Sequence, residues 1–311
     1  MLGMKTVKTF NKSYNLVMSS DAKFVCRTIG SKTFLYENQN WDHPVLLTKP
    51  TNPGDVKFSP DNLFVIIQNT SGNIYIYETE NFSPIKRIVS NKSYKMIEHG
   101  GCAFVGNKKM VLCIAIVQSR EQVLAFDLET TNWYPITDFN ENYHISYTSY
   151  SEKENAHLFQ ISRINKITDD WDYQILKVYE DNLSMEILNL PPGVFLDELV
   201  FNHHQNTYIS LYKREIHLLS SDLKKIIKKE NLSIPNNGVS IVCDMSLSKN
   251  GKFIVIAYSE CVVILDIEHL EIIRIERIPY ACFAQFGNDD EFLLVGTWDS
   301  GYILENNLTE S

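Results

Sequence analysis

Apolar and polar positions along the chain follow a phrase that recurs. An apolar pair precedes a polar turn rich in Ser, Pro, Asp, Asn and Gly. A hydrophobic strand, a second tight turn and another strand follow, ending in an aromatic or Leu and usually an acid. Phe58-Ser59-Pro60-Asp61-Asn62-Leu63-Phe64 opens one copy, and Tyr77-Glu78 closes its third strand. Leu247-Ser248-Lys249-Asn250-Gly251-Lys252-Phe253 opens another, closed by Leu265-Asp266. A repeat of this size predicts a propeller or a solenoid, because each unit is too small to bury its own apolar face.

The polar turn occurs seven times: Ser19-Ser20-Asp21, Ser59-Pro60-Asp61, Gly106-Asn107-Lys108, Ser151-Glu152-Lys153, His203-His204-Gln205, Ser248-Lys249-Asn250-Gly251 and Gly287-Asn288-Asp289-Asp290. Pro pre-sets φ, Gly permits positive φ, and Asn and Asp bond their own backbone. Short β-branched and aromatic strands follow each turn, such as 64–68, 110–117 and 253–258, several of them apolar on both faces. That suits strands sandwiched between neighbouring sheets. The third strands end at Tyr36-Glu37, Tyr77-Glu78, Phe126-Asp127, Tyr179-Glu180, Leu219-Ser220, Leu265-Asp266 and Leu304-Glu305, with an acid in six of the seven.

The expected fold is all-β: a seven-bladed β-propeller with four antiparallel strands per blade, lettered a to d outward from the axis. After Leu304-Glu305 only a short polar tail remains, while Lys5–Phe10 reads as a strand with no sheet of its own. The N-terminal strand is therefore expected to complete the last blade, which removes an exposed sheet edge. The blades fall at about 11–49, 50–90, 91–138, 139–190, 191–233, 234–279 and 280–305 plus 4–10, as one domain over 1–311.

These residues resemble the WD40 family of β-propellers over essentially the whole chain. The best match is Phe292-Leu293-Leu294-Val295-Gly296-Thr297-Trp298-Asp299-Ser300-Gly301-Tyr302-Ile303-Leu304-Glu305. In the family a hydrogen-bonded tetrad joins an Asp in the b–c turn, a Ser or Thr on strand b, a Trp ending strand c and a His before strand a. Here Asp299 and Thr297 match, Leu304 stands at the Trp position and no His precedes strand a. The literal Trp-Asp pairs, Trp41-Asp42, Trp171-Asp172 and Trp298-Asp299, do not occupy the family's Trp-Asp position. The resemblance implies a non-catalytic scaffold that binds a protein or peptide on the top face, where the d–a and b–c loops lie. The Ser-Pro-Asp phrase also occurs in lactonase-type propellers, so a hydrolase with a channel metal site is the alternative. Asp55, Asp197 and His144 are its nearest candidates.

Composition narrows the partner. The 311 residues carry a formal net charge of -9 with only seven arginines, which disfavours nucleic acid and favours a basic partner. The six cysteines lie in apolar runs with no CxxC pair, as expected of core thiols in a reducing compartment. No stretch approaches the ~18 apolar residues of a membrane span, and no secretory signal is evident. A cytoplasmic protein without membrane, cofactor or metal is expected.

Candidate partner-binding residues come from the top-face loops. The fourth blade's b–c loop is long and holds Asp169, Asp170 and Trp171, an aromatic ringed by acids. Trp298 occupies the b–c turn of the last blade. Tyr14, Tyr143, Phe195 and Tyr280 lie at or near d–a junctions, and the loop 90–101 adds Tyr94 and His99. No catalytic residue is assigned: the sequence has no phosphate-binding Gly-rich loop, no HExxH and no nucleophile elbow.

Overall fold

The computed structural model describes residues 4–37, 40–97, 101–106, 109–165, 171–234, 241–287 and 290–310. They form a ring of seven antiparallel sheets. The N-terminal strand is β1 (Thr6–Ser13). Blade 1 is β2 (Leu16–Met18), β3 (Phe24–Ile29), β4 (Lys32–Glu37) and β5 (Val45–Leu47); blade 2 is β6 (Pro53–Phe58), β7 (Phe64–Asn69), β8 (Ile74–Glu78) and β9 (Pro84–Ile88). In blade 3 the inner strand comes in two pieces, β10 (Lys95–Met96) and β11 (Cys102–Val105), both paired with β12 (Met110–Val117), followed by β13 (Arg120–Asp127) and β14 (Trp133–Pro135). Blade 4 is β15 (His144–Ser151), β16 (Ala156–Ile164), β17 (Trp171–Tyr179) and β18 (Met185–Asn189). Blade 5 is β19 (Glu198–Asn202), β20 (Thr207–Tyr212), β21 (Glu215–Ser220) and β22 (Ile226–Asn231). Blade 6 is β23 (Val242–Leu247), β24 (Phe253–Tyr258), β25 (Cys261–Asp266) and β26 (Glu271–Glu276).

Blade 7 is assembled from both ends of the chain. Its inner strand is β27 (Ala281–Gly287), and β28 (Phe292–Glu305) supplies both middle strands. β28 turns back at Trp298-Asp299, so that Asn306 N donates to Glu291 O at 2.8 Å. Its first half pairs with β27 and its second with β1, in register from Thr6↔Leu304 to Ser13↔Thr297. The expected closure is present, with the N-terminal strand running three residues beyond Phe10.

The core is seven clusters, each shared by two neighbouring blades. Val65, Ile66 and Ile67 are all fully buried because the strand is covered on both faces: Val65 and Ile67 meet blade 1, and Ile66 meets blade 3. Phe10, Leu294 and Ile303 of blade 7 meet Leu16, Val25 and Tyr36 of blade 1, which closes the ring.

The recurring polar phrase has one physical meaning. In the a–b turns of blades 1, 2 and 6, Ser19, Ser59 and Ser248 accept from the N–H of Phe24, Phe64 and Phe253, each at 2.9 Å. The same hydroxyls donate to Asp21, Asp61 and Asn250, which in turn accept a backbone N–H two residues on. The acids after strand c do comparable work, as where Asp127 accepts from Glu129 N and Thr130 N. In the c–d turns Phe82, Leu183, Leu223 and Leu270 adopt φ between 55° and 59°. That conformation costs about 1–2 kcal/mol for an L residue. Leu223 and Leu270 are almost fully buried, and burial worth about 1.5–3 kcal/mol offsets it.

Candidate functional site: the top face over blades 6, 7 and 1

The two faces of the ring differ in what their loops leave open. On the bottom, the a–b turns satisfy one another. Asn62 accepts from Ser20 N and donates to its hydroxyl, linking blades 1 and 2. His204 Nε2 donates to Lys249 O at 2.8 Å, and Asn202 donates to Gly251 O, linking blades 5 and 6. Gly251 has φ 68°, and a Cβ there would sit 2.5 Å from the His204 ring. Asp290 accepts from Lys249 N and Asn250 N, linking blade 6 to blade 7.

The bottom turns expose Leu63, whereas the top face exposes a group of large apolar side chains. Strands β24 and β25 meet in the two-residue turn Ser259-Glu260, and β28 bends at Trp298-Asp299. A run of backbone hydrogen bonds joins these turns to the d–a connections: Ser259 N to Ile241 O, Tyr280 N to Ser259 O, and Trp298 N to Tyr280 O. The side chains on this run form a ridge, with Ile241 67%, Tyr280 55% and Trp298 64% exposed. Tyr14 continues it into blade 1, its ring 4.7 Å from that of Trp298. Gly296 permits that approach, since a Cβ there would lie 2.4 Å from Tyr14 O. Tyr280 holds φ 60°, an unfavourable conformation for a bulky residue that its two backbone bonds maintain.

The remaining candidates are distributed around the ring. Trp171 is 47% exposed and pairs across the β16–β17 ladder with Ile164, also exposed. Both border a groove of about 920 Å³ with Tyr143, Arg163 and His144. There Arg163 pairs with Glu141 and lies over the Tyr143 ring, which packs on Phe139 at 4.8 Å. Phe195 stands against Tyr173 and Tyr212, between blades 4 and 5. Trp171 and Trp298 are thus on blades 4 and 7 and belong to separate surfaces. Tyr94 packs on Trp133 of the outermost strand β14, 5.1 Å away, and contributes to the core between blades 2 and 3. Asp169, Asp170 and His99 lie outside the described residues. Ile241, Ser259 and Gly296 were not evident as site residues, because nothing local marks a lone Ile or a turn Ser as the neighbour of Trp298.

The tetrad suggested by the best repeat is not assembled at Thr297. Its hydroxyl donates to Ser300 O and accepts from Asp299 N and Ser300 N, so it braces its own turn while Asp299 is exposed.

Below the ridge lies the central channel, a cavity of about 800 Å³ bordered by Asp55, Lys57, Tyr147, Glu198, Cys243, Asp244 and Cys282 among others. Lys57 Nζ lies 3.4 Å from Asp55, donates to Cys102 O at 2.9 Å and sits over the Tyr147 ring. Desolvation in this enclosed space, with Asp244 and Asp197 nearby, holds the Glu198 carboxyl well above its ordinary value. Desolvation likewise raises Asp244 to about 7, although it accepts from Ala284 N. The three candidates for a hydrolytic metal site, Asp55, Asp197 and His144, are not brought together. Asp55 is engaged by Lys57, Asp197 is exposed and accepts from Lys213 N, and His144 pairs with Glu121. Among the described residues no three His, Cys, Asp or Glu side chains are grouped to hold a metal.

Asp244 makes the stability of the protein depend on pH. An acid raised on folding keeps its proton while the unfolded chain has lost it, so its penalty grows from about pH 4 to pH 7 and is complete at pH 8. A move of this size corresponds to ~4 kcal/mol, and channel water screens part of it. Asp244→Asn keeps an acceptor for Ala284 N. It is expected to stabilise the protein by about 2 kcal/mol at pH 8 and by little at pH 4. Denaturant melts at the two pH values check this; an equal effect at both would remove the account.

No protein-family model matches the chain, and no curated protein matches it by sequence. Solved structures do match, 1539 chains of them, so the likeness is to a widely used fold. A structure of U3-55K is 9% identical and has a TM-score of 0.68, covering 97% of this chain and 100% of the other. A crystal structure of RRP9 WD40 repeats is also 9% identical with a TM-score of 0.68, covering 98% of this chain and 99% of the other. At that identity the likeness establishes architecture, and with the seven closed sheets it identifies the fold as a WD40-like β-propeller.

Proposed function

We propose that this protein is a non-catalytic scaffold in the cytoplasm that binds a protein or peptide on its top face, without a cofactor. The observation that carries the reading is the pre-formed ridge of Ile241, Tyr280, Trp298 and Tyr14. Exposed aromatics grouped on backbone-tied loops are what an interface core needs, because little conformational entropy is lost when they are covered. The same polar groups that could serve on the bottom face are spent on linking its turns. The exposed acids Glu260 and Asp299 flank the ridge, and with the net charge of -9 they favour a basic partner whose association slows with salt. Nucleic acid and membrane are not the expected partners of such an acidic chain.

The test is capture from an extract of the native host by the wild-type chain and by Trp298→Ala/Tyr280→Ala. Partners held by the wild type are expected to be lost by the variant. The melting temperature should change little, since both side chains are mostly exposed. Identical capture by the two would eliminate the ridge as the docking surface.

A further inference from the structure

The ridge ends at the channel mouth, and that junction limits what fits it. Cys282 Sγ donates to Tyr14 O at 3.2 Å and Cys243 Sγ to Ile241 O at 3.6 Å, so both inner-strand thiols hang directly from residues of the ridge. The ladders of β23 and β27 are each shifted at that point, between Val242 and Asp244 and between Ala281 and Phe283. A bulge of this kind re-aims side chains. The next channel residue inward from Cys243 is Asp244, with Glu198 on the neighbouring blade 5. Lys57, which also borders the channel, is already engaged by Asp55 and by Cys102 O. An apolar strip therefore borders an opening lined on the blade 5 and 6 side by the carboxyl groups of Glu198 and Asp244, which a cation would draw into their charged form.

We infer that the ridge receives a peptide segment in which a bulky apolar side chain neighbours a Lys or Arg: the apolar group covers Tyr280 and Trp298, and the cation enters the channel mouth. This rests on the top-face reading and specifies its partner. A flat globular surface could cover the ridge but could not place a charge inside the opening. An acidic segment would meet the exposed carboxylates Glu260 and Asp299 with like charge and is disfavoured.

A random peptide library displayed on phage, selected on the immobilised full-length protein and counter-selected on Trp298→Ala/Tyr280→Ala, supplies the probe. Enriched peptides are expected to carry Lys or Arg within two positions of an aromatic or large aliphatic residue. Fluorescence anisotropy of one such peptide at pH 8, where the Asp244 carboxyl is charged, should show binding weakened about tenfold or more by Asp244→Asn. The same peptide with its cation replaced by norleucine should bind wild type and Asp244→Asn alike. A melt of Asp244→Asn confirms that the fold is retained. Ridge-dependent peptides without basic enrichment, or equal binding to Asp244→Asn, would overturn this inference and leave the scaffold reading standing. Selection that yields no peptide dependent on Trp298 and Tyr280 would overturn both.

Discussion

A chain lacking residues 1–10 is expected to fail to reach the native monomer, appearing instead as aggregate or unfolded protein. The missing segment is most of the outer strand of blade 7, and its loss opens the edge of β28 from Gly301 to Leu304. It also empties a buried site. Phe10 is 4% exposed, with Tyr36 and Trp41 rings at 5.3 and 5.9 Å and the Arg27 guanidinium 4.9 Å above it. Truncating a buried Phe alone costs about 3–5 kcal/mol, against a total stability of about 5–15 kcal/mol for a typical protein. Met4, packed between blades 6 and 7, is lost as well. The milder Phe10→Ala should fold and show the smaller loss by denaturant melting. Gel filtration and thermal melting decide the larger claim; a truncated monomer that melts with the full chain would refute ring closure by β1.

The second large effect is expected at Lys177, whose side chain is 4% exposed on the middle strand β17. Its ammonium pairs with Glu154 in the a–b turn of blade 4, and Tyr208 of blade 5 donates its hydroxyl to the same carboxylate at 3.1 Å. The group thus joins two blades, with Glu186 opposite Lys177 on the next strand. Breaking a buried pair from one side costs about 3–5 kcal/mol, because the other charge remains desolvated. The two sides are not equivalent. Glu154 is 25% exposed and can recover water, whereas Lys177 cannot. Glu154→Gln should therefore destabilise more than Lys177→Met, and the double variant should be no worse than Glu154→Gln alone. Denaturant unfolding of the three proteins measures this. The reverse order of the single variants would mean that the carboxylate, not the ammonium, is the group burial penalises.

Some of the site was one position away from what alternation could resolve. Asp197 and Glu198 are adjacent, and on a strand adjacent side chains point to opposite sides. Reading Asp197 toward the axis required knowing where β19 begins; the strand starts at Glu198, so Glu198 borders the channel and Asp197 caps a neighbouring turn. Tyr94 shows the same limit at larger scale. It lies just before the inner strand β10, yet its ring reaches Trp133 on the outer strand of the same blade. A loop's position in the repeat did not give the direction of its side chain.

The linear order of residues was sufficient for the blade count, the polar turns and the closure by the first strand, because each depends on interactions within a few residues or on a repeat. Ser59, Asp61 and Phe64 make their turn almost wherever they occur, and Val65-Ile66-Ile67 declares two covered faces without reference to a partner. The ridge depended on the closed ring alone. Tyr14, Ile241, Tyr280 and Trp298 come from four connections spread over the whole chain, and only the angle between successive sheets sets them side by side above an acidic channel.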